Sequence, residues 1–268
     1  MITADALLTA DVSSKIKSFI LCNIELYQNK KADIKKLEIA NKKLFEYIVS
    51  LGPVTQNFID YWTSLQIHNI EPLHTILLAA EYNDSYIVRH IVRMSKYSAL
   101  LAEKVGLDSQ TVQDIKYAAT MHDIGKVGIS DEILLKPRKL TVQEFGMIKN
   151  HTTTGANILA GASSAPICLA REIAFSHHEK WNGTGYPLGI RAEKIPIAAQ
   201  IVGLLDVFDA ITSERPYKPV YPVEVAWDFI NIESGDHFAP DVVDVFLKYF
   251  DEFLQIKDEK STTNLSSN

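Results

Sequence analysis

Several things are scarce in this chain of 268 residues, and each scarcity excludes something. There are two cysteines, Cys22 and Cys168. That rules out a disulfide framework and any zinc module built on cysteine. No apolar run approaches the roughly 20 residues that a bilayer-spanning helix needs. The stretch Ile201 to Ala210 is interrupted by Asp206 and Asp209. The N-terminus shows no basic segment leading into an apolar one, so no signal peptide is expected. The expectation is a reducing, cytoplasmic setting with no membrane partner. Net positive charge is also missing: 27 Lys and Arg stand against 33 Asp and Glu, a balance of −6. This argues against a generally cationic binder of DNA or RNA duplexes, while leaving room for a local basic patch.

Glycine is scarce early. Gly52 is the only glycine before Gly106, and apolar residues between them recur at three and four, the helical period. Within Ala32 to Leu51 the residues Ile34, Leu37, Leu44, Ile48 and Leu51 form one stripe with Asn41 in its gap. Such a stripe serves either an amphipathic helix within one chain or a short dimer seam. Gly52-Pro53 ends it, and a soft boundary falls near Asn69 to Pro72. Further helices are expected over Thr75–Val105, Gln110–Asp123, Pro166–His177, from Pro196 through Thr212, Val223–Ile232 and Pro240–Phe253. Thr141 and Glu144 form a capping box for the helix carrying Met147. Glu179–Glu193 reads as a loop and Lys257–Asn268 as a polar tail. No period-two pattern survives, so the fold class is all-α.

What the chain does have is an uneven set of histidines. Five of eight, His90, His122, His151, His177 and His178, fall between residues 90 and 178 of the helical block. His122 is followed by Asp123, and His177 by His178. Neighbours on a helix point about 100° apart, so such pairs suit a helix end or loop that aims both side chains inward. Asp206 stands on an otherwise apolar helix. Imidazole with carboxylate suits iron, manganese or zinc, and a carboxylate shared by two ions suits phosphoester hydrolysis. Taken singly, each residue has a plainer account. His90 can be a surface or core histidine, and Asp206 a paired buried carboxylate.

Order and spacing together carry a resemblance. His122-Asp123-Ile124-Gly125-Lys126, followed by His177-His178-Glu179-Lys180-Trp181-Asn182-Gly183-Thr184-Gly185-Tyr186-Pro187, resembles the HD-GYP family. These are bacterial metal-dependent phosphodiesterases of the HD superfamily that hydrolyse cyclic di-GMP. The similarity runs from about Glu81 to Phe246. It takes in Ile133 to Thr141, His151 to Gly155, Asp206 to Thr212 and Arg215 to Lys218. It implies an HD-like helical bundle over 73–256, with 1–72 left as a helical regulatory or dimerisation region. A homodimer through those N-terminal helices is the expected assembly.

The resemblance also implies roles. One divalent ion would be held by His90, His122, Asp123 and Asp206. A second would share Asp123 and take His151, His177 and His178. Two ions per chain, iron or manganese, are expected. Some members carry a glutamate for a third ion four residues before the first histidine; here that position is Tyr86. Asp123 and Lys126 are the catalytic candidates, with Lys126 on the scissile phosphate or, more plainly, a cation at a helix end. Tyr186, Arg215, Lys218 and Asp209 complete the substrate-binding set. Asp209 would orient a metal ligand or pair with Arg215. Gly183 and Gly185 allow the tight GYP loop, where Asn182 replaces a more usual aspartate. His237 and Cys168 are read as structural, Cys168 as a buried small hydrophobe. The implied activity is cleavage of cyclic di-GMP, with either linear pGpG or GMP as the end product. The rivals are a cyclic-dinucleotide receptor with little turnover, and a phosphohydrolase for another cyclic nucleotide such as cyclic GMP-AMP.

Overall fold

The structure is a computed structural model that describes residues 85–134, 136, 138–160, 164–213 and 220–258. Outside the described residues lie Cys22, the Ala32–Leu51 stripe, the Asn69–Pro72 boundary, the proposed dimerisation region, Arg215, Lys218 and most of the polar tail. The side chain of Tyr86 lies outside them too. Arg89–Ile256 form one compact unit.

Ten α-helices are described: α1 Ser85–Val105, α2 Ser109–Ala118, α3 Asp131–Leu134, α4 Val142–Lys149, α5 His151–Ile158, α6 Ala165–Ser176, α7 Ile197–Thr212, α8 Val223–Ile232, α9 Pro240–Lys248 and α10 Phe250–Asp258. Among the described residues there is no strand, only an isolated bridge between Ser234 and Phe238. The all-α reading holds. Gly106 ends α1 where expected, with φ +93° and its N–H on the Glu103 carbonyl. The Thr141–Glu144 capping box opens α4. Asp108 caps α2 by accepting from the N–H groups of Gln110 and Thr111, both at 3.0 Å.

Two helices are shorter than their apolar period suggested. The expected Gln110–Asp123 helix stops at Ala118, and the chain tightens into 3-10 turns over Ala119–Met121 and Ile124–Gly128. The expected Pro240–Phe253 helix breaks at Tyr249, whose φ of −110° is not helical. That break lets Phe250 and Phe253 turn into the core.

The core is an aromatic knot. Tyr97, Phe208, Phe246 and Phe253 are wholly buried. Phe208 meets Tyr97, Phe246 and Phe250 at 5.5, 5.2 and 5.7 Å between ring centres. Edge-to-face pairs of this kind add about 0.5–1.5 kcal/mol each beyond their burial. The knot fixes α1 against α7. Tyr97 lies two turns after His90, and Phe208 two residues after Asp206, so the same packing sets where those two side chains meet.

Candidate metal centre

Four elements deliver the histidines. His90 projects from α1. His122 and Asp123 occupy the junction between the two 3-10 turns. His151 is the first residue of α5, after Asn150 breaks the chain away from α4. His177 caps the C-terminus of α6, and His178 follows it. Ending a helix at His177 is what allows both rings to face the same side.

The result is two adjoining groups. Asp123, His151, His177 and His178 present ligand atoms within 4.8 Å of one another, and so do His90, His122 and Asp206. Asp123 faces both. Its Oδ2 lies 3.2 Å from His122 Nε2, and its Oδ1 lies 3.3 Å from His151 Nε2 and 3.9 Å from His177 Nε2.

The tautomers are fixed from behind. The Nδ1 of His122 donates to the Ala119 carbonyl at 2.8 Å, that of His151 to Ile148 at 2.7 Å, and that of His177 to Ile173 at 2.9 Å. His90 Nδ1 donates to Asp209 at 2.8 Å. Carbonyls and carboxylates can only accept, so each Nδ1 holds a proton. In the neutral ring, Nε2 is then a lone pair. His122 Nε2 and Asp123 Oδ1 are buried and make no hydrogen bond of good geometry. Buried polar atoms of this kind call for a partner, and a cation between the groups would be one.

The electrostatics fit a cation as well. Burial works against charge on His122, but the Asp123 carboxylate beside it prevails and lifts the imidazole to about 9, so without an ion a proton occupies Nε2 at pH 7 and a bound cation would take that proton's place. Burial also opposes ionisation of Asp123, yet Lys126 and His122 hold it well below the usual carboxylate range. Burial pushes His177 down to about 3, with help from His122. His151 and His178 are lowered by burial too, so these three rings are neutral at pH 7 and able to ligate.

Backbone contacts hold the parts at close range. A Cβ on Gly125 would sit 1.9 Å from the His151 carbonyl oxygen. One on Gly185 would sit 2.3 Å from Lys180 N. These close approaches press the HD turn onto α5 and fold the GYP loop onto its own start.

The remaining candidates fall as follows. Lys126 donates to Asp123 Oδ2 from a 3-10 turn rather than from an α-helical one. Tyr186 stacks on His178 at 4.8 Å, and burial raises its phenol above the ordinary value. Asp209 corrects the expectation of a substrate contact. It is fully buried, out of reach of any ligand, and bonded to His90 and Arg93. Burial disfavours its charge, but those two hydrogen bonds keep it ionised. Asn182 accepts from the N–H and hydroxyl of Thr184, a local turn contact. The His237 ring stacks on Phe238 at 4.2 Å. Cys168 is exposed, contrary to expectation.

Two contributors were missed from the sequence. Arg93 clamps Asp209 through Nε at 2.5 Å and a second nitrogen at 2.9 Å; its spacing of three from His90 was the available signal. Glu179 is buried, and its Oε1 takes the N–H groups of Leu188 at 2.8 Å and Gly189 at 3.1 Å, tying down the far side of the GYP loop.

Fold and paired His/Asp groups together define a helical HD-domain protein, and a family model described as HD domain matches residues 76–242. The chain belongs to the HD-GYP family of HD-domain proteins. A cyclic di-GMP phosphodiesterase of Thermotoga maritima is 41% identical over 209 residues, covering 76% of this chain and 57% of that protein. The cyclic di-GMP phosphodiesterase response regulator RpfG of Xanthomonas campestris is 39% identical over 194 residues, covering 72% and 51%. A 3'3'-cGAMP-specific phosphodiesterase of Vibrio cholerae is 34% identical over 224 residues, covering 83% and 43%. The chain thus spans about half the length of the curated relatives it matches. In fold, it resembles an HDG"Y"P protein of Bdellovibrio bacteriovorus, with a TM-score of 0.52 at 18% identity, covering 91% of this chain and 74% of that one. Among the described residues no helix is long and apolar enough to cross a membrane.

Proposed function

We propose that this chain is a metal-dependent phosphodiesterase that opens cyclic di-GMP to linear pGpG and, by a second cleavage, yields GMP. The observation that carries the reading is the tautomer lock: His122, His151 and His177 commit Nδ1 to backbone carbonyls behind them and turn Nε2 toward one carboxylate, Asp123, while His90 commits Nδ1 to Asp209 and turns Nε2 toward Asp206. His90, His122 and Asp206 would hold one ion, and His151, His177 and His178 the other, with Asp123 shared. When bound, iron or manganese there supplies the Lewis-acid charge that phosphodiester hydrolysis requires.

The chain's own residues supply the rest. Asp123 is the hinge of the site, one oxygen toward each group. Lys126, now on Asp123, is placed to move its ammonium onto a phosphoryl oxygen as charge builds there. Tyr186 keeps its proton at neutral pH and can donate to the ligand. Arg215 and Lys218 are assigned to the ligand's remaining phosphate and base edges, suited respectively by a planar fork and a point charge. The segment 1–72 is assigned a regulatory or dimerising role, and a cytoplasmic setting fits a soluble second messenger.

A second substrate, cyclic GMP-AMP, is favoured by one observation: a Vibrio cholerae relative at 34% identity is named for it. The test is hydrolysis of cyclic di-GMP and cyclic GMP-AMP side by side, with metal analysis of the same sample. Asp123→Ala should lose bound metal and both activities. A manganese- or iron-loaded protein that cleaves neither dinucleotide would sink the proposal.

A further inference from the structure

Helix α4 buries no side chain among its eight residues. Its first turn is closed by its own capping box, and the ion pair between Lys136 and Glu144 ties that turn to the preceding segment. Its apolar residues are therefore not serving a core: Phe145 is 45% exposed and Met147 52%. Phe145 nonetheless has a specific neighbour. Its ring stands edge-on to Tyr186, with centres 6.4 Å apart and planes at 81°. Tyr186 stacks on His178, and His178 lies against His177 at 4.0 Å. A run of four rings thus leads from the metal group outward to a half-exposed aromatic. Lys149 places its ammonium over both outer rings, 4.9 Å from the centre of Tyr186 and 5.1 Å from that of Phe145.

This corner has the chemistry of a nucleobase seat. Two rings meeting nearly at right angles offer one face for stacking and one edge to close the side. A cation at their junction complements the ring nitrogens and carbonyl on the outer edge of a guanine. The corner is continuous with the site where a phosphate would be cut, and it lies beyond the histidines, as a base lies beyond the phosphate in a nucleotide. We propose that Phe145 and Lys149, with Tyr186, form the seat for one purine base of a cyclic dinucleotide and set the affinity of this site for base-bearing substrates. The inference rests on the reading of the site as one for cyclic dinucleotides.

Steady-state hydrolysis of cyclic di-GMP by the metal-loaded full chain tests it. A stacked base is worth enough that Phe145→Ala should raise KM about tenfold, with kcat nearly unchanged and metal content equal to wild type. Phe145→Trp should restore KM because it keeps a π-face, whereas Phe145→Leu should not, although it fills similar apolar volume. Lys149→Met should raise KM severalfold on the same pattern. Rescue by Leu, a loss of metal in the alanine variant, or a KM like that of wild type would each overturn the inference; the first two would show that Phe145 only holds α4 in place. A wild-type protein that neither binds nor cleaves a cyclic dinucleotide would overturn the reading of the whole site, a pattern distinct from those three.

Discussion

His90 donates its Nδ1 proton to Asp209 at 2.8 Å, across 119 positions of chain. Asp209 is buried, and Arg93, one turn beyond His90 on α1, grips both of its oxygens. The contact does two things: it pins the ring so that Nε2 faces Asp206, and it keeps the carboxylate charged inside the protein. Asp209 is therefore a positioning residue. Asp209→Asn should weaken metal binding at the His90, His122 and Asp206 group by about 10–100-fold. The ion at His151, His177 and His178 should be retained. It should also cost about 3 kcal/mol in stability, because Arg93 loses its buried partner. Equilibrium dialysis with metal analysis, alongside chemical denaturation, reads both. Unchanged metal stoichiometry at limiting metal would refute the positioning role.

A second prediction concerns Gly125. Its Cα faces the backbone of α5 so closely that a methyl group would overlap the His151 carbonyl and come within 2.5 Å of Gly155 N. Neither obstacle is a flexible side-chain end, so the HD turn and α5 must separate. Gly125→Ala should destabilise the fold by about 1–3 kcal/mol or more and pull His151 away from Asp123. The expected signature is a lower denaturation midpoint together with reduced metal content. A stable variant with full metal would show that α5 can yield.

Much of this site was legible in the sequence, and the reasons are local. The His-Asp pair, the His-His pair and the capping box are contiguous strings, and their order along the chain is fixed by the fold. Asp209 was legible as a residue but not as to its partner, because sequence spacing alone cannot say that α1 and α7 cross at that point. Arg93 went unread for the same reason, whereas Glu179 bonds Leu188 and Gly189 within its own loop, where irregular backbone has no period to show which side chain turns inward. The 3-10 turns after Ala118 have too few residues to show their period. Cys168 shows where the period was available and not applied. The buried stripe of α6 is Ile167, Ala170, Ile173 and Ala174, and Cys168 stands one residue off it.

A third prediction follows from Glu144. The hydrogen bond from Lys136 and those at the Thr141 cap hold its carboxyl down at about 2, against an ordinary value of 4.5. A carboxylate depressed in the folded state stabilises it above the unfolded value and loses that contribution as pH falls through the folded one. The stability difference between wild type and Glu144→Gln should therefore be full above pH 4.5 and shrink toward zero as pH falls to about 2. Denaturation midpoints of the two proteins, compared at pH 7 and pH 3, check this. A difference that grows on acidification would contradict it. Because the pair is only partly buried, added salt should also narrow the gap at pH 7.

The last prediction is a count of ions. The described ligand atoms fall into two groups, and Asp123 turns one oxygen toward each. A third ion would need a further anionic ligand beside His90. On α1 the residue one turn before His90 is Tyr86, and the i−4 position of a helix shares a face with position i. A neutral phenol is a poor bridge between divalent cations, which favour carboxylate oxygen or imidazole nitrogen. Fully loaded protein should therefore hold two ions per chain, and Tyr86→Glu should raise that number to three. Chelation should abolish hydrolysis, and manganese or iron should restore it. Three ions in the wild-type chain would mean that another residue replaces the missing carboxylate. Two ions in the Tyr86→Glu variant would mean that position 86 does not reach the site, and the count would then rest on Asp123 alone.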